Sequence, residues 1–317
     1  MIVTHEDHPT GPVIALVGPT AVGKSECALT LAQRLPLEII NADSRQVYRY
    51  MDIGTSKPTS DERERVSHHV LDVVDPNEEF SLSHYLRLAR HASHAVAERG
   101  RIPLVVGGTG QYVWSLAERW QVPEVPPDRE FRTEMQERVK THGPGVLHAE
   151  LTRIDAEAGA RIHEANVRRV IRALELFRAT GEKPSVLLWR RQQTSAHSVV
   201  VIGLALDRPA LIARADARID RMMRHGFAAE VRSLLDRGYS PALPSMSSIG
   251  YREVADYVSG RCDLDGTMAR VRRETRRLIR RQHAWFRPTD ERIRWLDWEQ
   301  QARAVEQAIR IIEGAVK

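Results

Sequence analysis

The 317-residue chain carries 47 Lys and Arg against 42 Asp and Glu, a formal net charge of +5, and 42% hydrophobic residues. This composition excludes wholesale disorder, and the length suits two domains or one domain with a large insertion. The longest apolar stretch, Val199–Leu206, is too short to cross a bilayer. The chain has only two cysteines, Cys27 and Cys262, which excludes a disulfide framework as its main source of stability. Met1–Thr10 lacks the apolar segment of a secretory signal, so we expect a cytoplasmic protein with no membrane partner.

The first third of the chain alternates predicted strands and helices. Short apolar runs predict buried strands at Val13–Val17, Leu37–Ile40 and Arg101–Val106. Helical patterns follow them at Gly23–Leu35, Ser81–Arg99 and Gln111–Trp120. This alternation predicts a parallel α/β sheet.

A phosphate-binding loop follows the first predicted strand. The residues match the pattern G-x-x-x-x-G-K-[ST] in full: Gly18, Pro19, Thr20, Ala21, Val22, Gly23, Lys24 and Ser25. Glycines allow backbone N–H groups to converge on phosphate oxygens at a helix N-terminus, where the helix dipole favours an anion. Lys24 can reach the terminal phosphate and the Ser25 hydroxyl can hold Mg²⁺. A nucleoside triphosphate is the default ligand of such a loop, and an organic diphosphate also fits it.

Asp43 follows the second predicted strand. In an open parallel sheet the loops at the carboxyl ends of the strands face the ligand crevice, so Asp43 is expected near the phosphate loop. It is a candidate general base or a ligand of a Mg²⁺-bound water. The alternative is an N-cap of a short helix at Ser44–Tyr48.

The pattern changes at Val122–Asp128, where prolines interrupt the chain. From Arg129 to Leu188 only helical patterns occur, the clearest at Asn166–Ala179, and Arg190–Ser198 is typical of a polar linker. A buried strand then resumes at Val199–Leu206. We therefore predict a core formed by residues 1–121 and 199–317, with a helical insertion at residues 122–198.

The remaining chain is mostly helical and rich in arginine. Helices are predicted at Arg208–Arg224, Phe227–Arg237, Ser247–Ser259, Asp263–Phe286 and Gln300–Ile312, with a last strand at Ile293–Leu296. On the helix Asp263–Phe286 and at its exit, eight arginines are offset by the single acid Glu274: Arg270, Arg272, Arg273, Arg276, Arg277, Arg280, Arg281 and Arg287. This excess favours an anionic partner over a solvated face.

Long blocks of the sequence resemble the tRNA dimethylallyltransferase (tRNA isopentenyltransferase) family of bacterial type, which lacks a C-terminal zinc finger. They run in order along most of the chain: Gly18–Ser25, Asn41–Tyr48, Met51–Pro58, His68–Pro76, Val105–Gly110, Asn166–Leu176, Ile249–Glu253 and Arg281–Phe286. The resemblance implies a P-loop kinase-like fold with an inserted all-helical domain. It implies transfer of a dimethylallyl group from dimethylallyl diphosphate to N6 of the adenosine 3′ of the tRNA anticodon, with release of diphosphate.

The resemblance also implies roles for individual residues. The loop Gly18–Ser25 would hold the donor diphosphate, and Asp43 would accept the proton of the adenine amine. Thr109 would support the same site or, alternatively, cap the N-terminus of the predicted helix Gln111–Trp120. Arg218 would reach the diphosphate or, alternatively, pair with Asp216 and Asp220. Contacts with the tRNA anticodon stem-loop are implied for Asp43, Ser44, Arg45, Gln46, Thr109, Arg132, Arg168, Arg169, Val170, Ile171, Arg172, Ser247, Ser248, Ile249, Gly250, Tyr251 and Arg252.

Other functions share parts of this pattern. A P-loop small-molecule kinase would need no arginine-bearing insertion, and a prenyltransferase of free adenine nucleotides would lack the tRNA-contacting blocks. An RNA-binding adaptor would not need Lys24, Ser25 and Asp43 together. The pair His68 and His69 lacks a metal ligand at a suitable third position and is interpreted as packing or polar residues. We expect a monomer.

Overall fold

The computed structural model describes residues 12–189 and 199–316. Within them one six-stranded sheet is formed, in the order β3-β2-β4-β1-β5-β6, and each neighbouring pair is parallel. The strands are β1 Val13–Val17, β2 Leu37–Asn41, β3 His68–His69, β4 Ile102–Val106, β5 Val199–Ala205 and β6 Ile293–Asp297. The predicted parallel α/β sheet is confirmed.

Fourteen α-helices occur in the described part of the chain. They are α1 Lys24–Ala32, α2 Ser60–Arg65, α3 Leu82–Glu98, α4 Gly110–Ala117, α5 Arg129–His142, α6 Gly145–Ile154, α7 Ala156–Arg161, α8 Val167–Thr180, α9 Pro184–Trp189, α10 Arg208–Arg224, α11 Phe227–Asp236, α12 Tyr251–Val258, α13 Leu264–Trp285 and α14 Gln301–Val316. None of the described helices is long and apolar enough to span a membrane.

The sheet is buried, as its sequence predicts. All five residues of β1 and all five of β2 are buried, which is typical of parallel strands covered by helices on both faces. α1 packs against α14, and α3 packs against α4 and strands β2 and β4. The core joins apolar residues of the sheet to those of α1 and α14, among them Ile14, Leu31 and Ile312. This rigid layer fixes the loops at the carboxyl ends of β1, β2 and β4.

The chain divides into two compact units. The first contains residues 12–117 and 199–316 of the described chain, and the second contains residues 118–189. The helices of the second unit are α5 to α9, and Phe131, Leu151 and Ile171 are among its core residues. The predicted boundaries lie a few residues C-terminal of these divisions, and the predicted linker Arg190–Ser198 lies outside the described residues.

Some local predictions were wrong. The sequence pattern missed α2 and the edge strand β3, because neither short element carries a run of apolar residues. No helix forms at Ser44–Tyr48, where residues 44–47 are turns. The helix predicted to reach Trp120 ends at Ala117, shortly before Arg119, whose φ is +52°.

Candidate active site

Three loops meet at the carboxyl edge of the sheet. The N–H of Ala42 donates to the carbonyl of Val106 (2.8 Å), and the N–H of Thr109 donates to the carbonyl of Ala42 (3.1 Å). Gly107 permits this approach, because a Cβ atom there would collide with the backbone of Ala42. The loops after β2 and β4 are therefore fixed against each other, beside the phosphate loop that follows β1.

The phosphate loop wraps around the side chain of Lys24. The Nζ of Lys24 donates to the carbonyls of Gly18 (3.1 Å) and Pro19 (2.9 Å). Burial lowers the pKa of Lys24 to about 8; the charge of Asp43 opposes this shift and that of Arg218 adds to it. The loop thus presents a cation and the N-terminus of α1 at one place, which is a suitable environment for phosphate oxygens.

Asp43 lies in a turn held by its neighbours. Its Oδ1 accepts a hydrogen bond from the N–H of Arg45 (2.9 Å), and its own N–H donates to Oδ1 of Asn41 (3.0 Å). The alternative role as a helix cap is therefore wrong, since the carboxylate closes a turn. Oδ2 of Asp43 has no hydrogen-bond partner within residues 12–189 and 199–316, so one oxygen remains available for a ligand.

Thr109 connects the loops after β2 and β4. Its Oγ1 accepts a hydrogen bond from the N–H of Ser44 (3.0 Å), next to Asp43. Its backbone carbonyl accepts from Tyr112 and Val113 at the start of α4. The side chain thus steadies the turn that carries Asp43.

Gln282 of α13 joins the phosphate loop to the loop Gly107–Thr109, which follows β4. Its Oε1 accepts from the N–H of Thr20 (2.8 Å), and its Nε2 donates to the carbonyl of Gly108 (3.1 Å). The side chain is buried, with 8% of the residue's surface exposed. Sequence reasoning missed it, because an amide between charged residues of an amphipathic helix carries no distinctive signal.

Arg218 of α10 faces the phosphate loop. Its Nη1 donates to Oγ1 of Thr20 (3.3 Å). Burial lowers the pKa of Arg218, while the nearby Asp43 opposes that shift. The alternative pairing with Asp216 and Asp220 is not observed, because those carboxylates contact arginines of α13.

Two cavities of the first unit meet at these residues. The larger, of about 1230 Å³, contains Lys24 and Ser25, and the smaller, of about 390 Å³, contains Thr109. Eight residues line both: Thr20, Ala21, Asp43, Thr55, Arg218, Met222, Leu278 and Gln282. Asp43 therefore lies at the junction of a phosphate-binding cavity and a second, smaller one.

The structure brings several predicted tRNA-contacting residues of the first unit together. Arg45 donates to Oγ of Ser247 (3.2 Å) and to the carbonyl of Pro244 (3.2 Å). The smaller cavity is lined by seven of the predicted residues: Asp43, Ser44, Arg45, Thr109, Ser247, Ser248 and Ile249. Gln46 lines the larger cavity instead.

Three other predicted residues of this group lie away from both cavities. Tyr251 is fully buried, and its hydroxyl donates to Glu230 (2.7 Å). Gly250 is buried beside it, and exposed Arg252 donates to the carbonyl of Pro241 (3.0 Å). These interactions support the fold of α11 and α12, and contact with tRNA stays a prediction for the three residues.

In the second unit, the predicted arginines fall into two groups. Arg132 and Arg172 both bind the carboxylate of Glu175, which is 2% exposed. Burial would raise the pKa of Glu175, but hydrogen bonds from both arginines outweigh it and lower that pKa. Arg168 and Arg169 are exposed. The side chains of Val170 and Ile171 are buried in the core of this unit.

The arginines of α13 also divide into two groups. Arg272 contacts Asp220 (2.6 Å), Arg276 contacts Asp216 (2.8 Å), and Arg270 contacts Asp256 (3.1 Å). The sequence placed only Glu274 near the arginines of this helix, but these three arginines have acidic partners on other helices. Arg273 and Arg277 contact only Glu274 of their own helix, and Arg280, Arg281 and Arg287 are exposed without an ion pair in the described chain.

The two histidines form the edge strand β3 and are held there by side-chain hydrogen bonds. His69 bonds Glu38 (2.7 Å), and His68 bonds the carbonyl of Val66 (2.7 Å). No cluster of three potential His, Cys, Asp or Glu metal ligands occurs among the described residues. A Mg²⁺ ion that is held largely by phosphate oxygens needs only one or two protein ligands. Ser25 lines the larger cavity beside Lys24, and its role as a Mg²⁺ ligand stays a prediction.

The chain is similar to known proteins along nearly its whole length. The family model described as IPP transferase matches residues 46–289. A tRNA dimethylallyltransferase of Roseiflexus castenholzii is 48% identical over 276 residues, which cover 87% of this chain and 90% of the relative.

Solved structures of enzymes with similar names also resemble this chain. The tRNA isopentenylpyrophosphate transferase of Bacillus halodurans superimposes with a TM-score of 0.71 at 37% identity, covering 97% of each chain. A eukaryotic dimethylallyltransferase acting on tRNA gives 0.79 at 27% identity, covering 96% of this chain and 80% of the other. The loops, the cavities and these similarities agree, and the chain belongs to the IPP transferase family.

Proposed function

We propose that this enzyme transfers a dimethylallyl group from dimethylallyl diphosphate to N6 of the adenosine 3′ of the anticodon in tRNA and releases diphosphate. The observation that carries the proposal is the position of Asp43. It lies at the junction of the cavity that contains Lys24 and the cavity that contains Thr109.

The donor diphosphate occupies the larger cavity. Displacement at an allylic carbon leaves negative charge on the departing diphosphate, so the main requirement is stabilisation of that group. Lys24, Arg218 and the N-terminus of α1 supply positive potential there. Met222 and Leu278 line both cavities and offer apolar surface to the five-carbon chain at the junction.

The adenine enters through the smaller cavity. A base in a stacked loop must be turned out before its amine can react. The amine must also lose a proton, and the Asp43 carboxylate, with one oxygen unbonded in the described chain, accepts it. The hydrogen bond from Ser44 to Thr109 and the bridge made by Gln282 keep the three loops after β1, β2 and β4 at a fixed spacing, which supports in-line attack.

Ser25 would hold Mg²⁺ together with the diphosphate. When bound, the ion would neutralise charge on the leaving group. The exposed residue Ser25 lines the larger cavity beside Lys24, which is consistent with this role.

We further propose that the enzyme acts in the cytoplasm as a monomer on the anticodon stem-loop. The phosphate loop, Asp43 and Thr109, which the proposed reaction requires, all lie in the first unit of the chain. Arginines of α13 and α8 that form no ion pair in the described chain offer contacts to the phosphate backbone.

The test is incubation of unmodified tRNA with isotope-labelled dimethylallyl diphosphate, followed by nucleoside analysis. We expect the label in one N6-substituted adenosine of the anticodon loop. Label in free adenine nucleotides instead, or in no nucleoside, would contradict the proposal.

A further inference from the structure

We propose that Trp285 is a stacking platform for an unpaired base of the tRNA substrate, next to the adenosine that is turned out. This inference rests on the proposed function, because it takes tRNA as the occupant. The indole lines the smaller cavity together with Thr109, Gly110 and Arg281.

The indole is large, apolar and exposed. Trp285 is the last residue of the 22-residue helix α13, and 40% of its surface is accessible. Val271 and Ile279, apolar residues of the same helix, are buried. An exposed tryptophan at the rim of a cavity that also contains an exposed arginine is typical of single-stranded RNA recognition, since every base offers a face for stacking.

The backbone of Trp285 is anchored while its side chain stays exposed. The indole N–H of Trp114, a residue that is 5% exposed, donates to the carbonyl of Trp285 (3.2 Å). The next residue, Phe286, is 1% exposed and packs against Trp114, with ring centroids 6.4 Å apart. This anchorage limits the conformational entropy that a stacking interaction would cost.

One side of the indole rests on the start of α4. A Cβ atom at Gly110 would collide with Cβ and Cγ of Trp285, so the glycine backbone lies directly against the side chain. Gly110 follows Thr109, which bonds the turn of Asp43. The platform is therefore connected through two successive residues to the turn that carries the proposed base.

The chemistry of the reaction explains why such a platform is needed. Turning the target adenosine out of the loop removes the stacking partner of its neighbour. An indole at the rim of the same cavity can replace that partner, and Arg281 can bind the adjoining phosphate. Arg281 is exposed and forms no ion pair within the described part of the chain.

The test compares Trp285→Leu and Trp285→Phe with Leu264→Ala, an exposed apolar residue at the opposite end of the same helix. We expect Trp285→Leu to raise the Kd for tRNA about tenfold, within the range measured for removal of a base–aromatic stack. Trp285→Phe should recover most of the affinity. Leu264→Ala should change nothing, and donor affinity and thermal stability should be unaffected by all three.

A second measurement separates stacking from general packing. Binding is repeated with tRNAs that carry one abasic position at a time in the anticodon loop. At one position next to the target adenosine, the missing base should weaken binding to the parent enzyme about tenfold and leave binding to Trp285→Leu unchanged. Equal weakening for both enzymes at every position, or an unchanged Kd for Trp285→Leu, would overturn the inference. Failure of the parent enzyme to transfer the label would instead overturn the proposed function.

Discussion

The carboxyl edge of the sheet and the exposed face of α13 use charged residues differently. At the edge, Lys24, Asp43 and Arg218 lie within one another's electrostatic influence, and hydrogen bonds from distant parts of the chain fix their loops. On α13, Arg280 and Arg281 are exposed and unpaired in the described structure. The first arrangement suits chemistry that requires fixed geometry, and the second suits binding of a flexible polyanion.

The difference teaches how arginine-rich sequences should be read. The count of charges on α13 favoured an anionic partner for its arginines without distinguishing among them. In the structure, Arg272 and Arg276 pair with acids of α10, and their neighbours on the exposed face remain available for an anion. Large single-residue effects are therefore expected at the sheet edge, and small distributed ones for the exposed arginines of α13.

The largest expected effect is that of Asp43→Ala. Removing a positioned general base should slow the chemical step about 10²–10⁴-fold. Affinity for the prenyl donor should stay nearly the same, because the cations that hold the diphosphate remain. Single-turnover rates and donor titrations would check this. Transfer at the parent rate would show that Asp43 only closes its turn, and weakened donor binding alone would assign it to the Mg²⁺ site.

Lys24→Ala should weaken donor binding as well as turnover, by about 10²–10³-fold in kcat. The pKa of Lys24 is about 8, so its side chain is a charged ammonium below this pH and a neutral amine above it. The donor association constant of the parent enzyme should therefore be constant below about pH 7 and fall as the pH rises through 8. The Lys24→Ala variant should show no such decrease. A decrease of equal size in both enzymes would assign the titration to another group.

Gln282→Leu removes the bridge between Thr20 and Gly108 without introducing charge. The loops should then be less well positioned, and kcat should fall by up to about 10²-fold, the cost of roughly 1 Å of misplacement. The affinity for tRNA should change little. Thermal melts of the variant should be run beside the kinetics. If the loss of thermal stability accounts for the whole loss of activity, Gln282 has a packing role only.

The smallest effect per residue is expected for the exposed arginines of α13. Neutralising Arg273, Arg277 and Arg280 together should weaken tRNA binding and flatten its log–log salt dependence, by about one unit for each tRNA phosphate that these arginines neutralise in the complex. The matched pair Arg272→Gln and Arg276→Gln should change the slope less, because those guanidinium groups already bind Asp216 and Asp220. Equal slopes for all variants and the parent would show that the exposed arginines are only a solvated face.

The sequence predicted the parts of the fold that depend on local patterns. Apolar runs located the five longer strands, and the phosphate-loop motif placed Lys24 correctly at the N-terminus of α1. The two-residue strand β3 lacks such a run, because its histidines occupy the edge of the sheet. The family resemblance was confirmed, whereas the tRNA contacts assigned to single residues stay predictions.

The parts of the site that sequence could not supply depend on long-range interactions. Gln282 meets Thr20 across 262 positions of sequence, and Arg272 meets Asp220 across 52. No periodicity within one helix contains information about an acid or an amide on another element. For this reason the sequence placed Asp43 at the crevice but could not show that Gln282 supports the neighbouring loops.

The most direct test of the central claim is a product balance in a reaction that contains tRNA, dimethylallyl diphosphate and ATP. The claim is that the phosphate loop holds the diphosphate of the prenyl donor. We expect one diphosphate for each modified adenosine, with the ATP recovered intact and the same yield when ATP is omitted. Release of ADP or AMP in step with modification would contradict the claim.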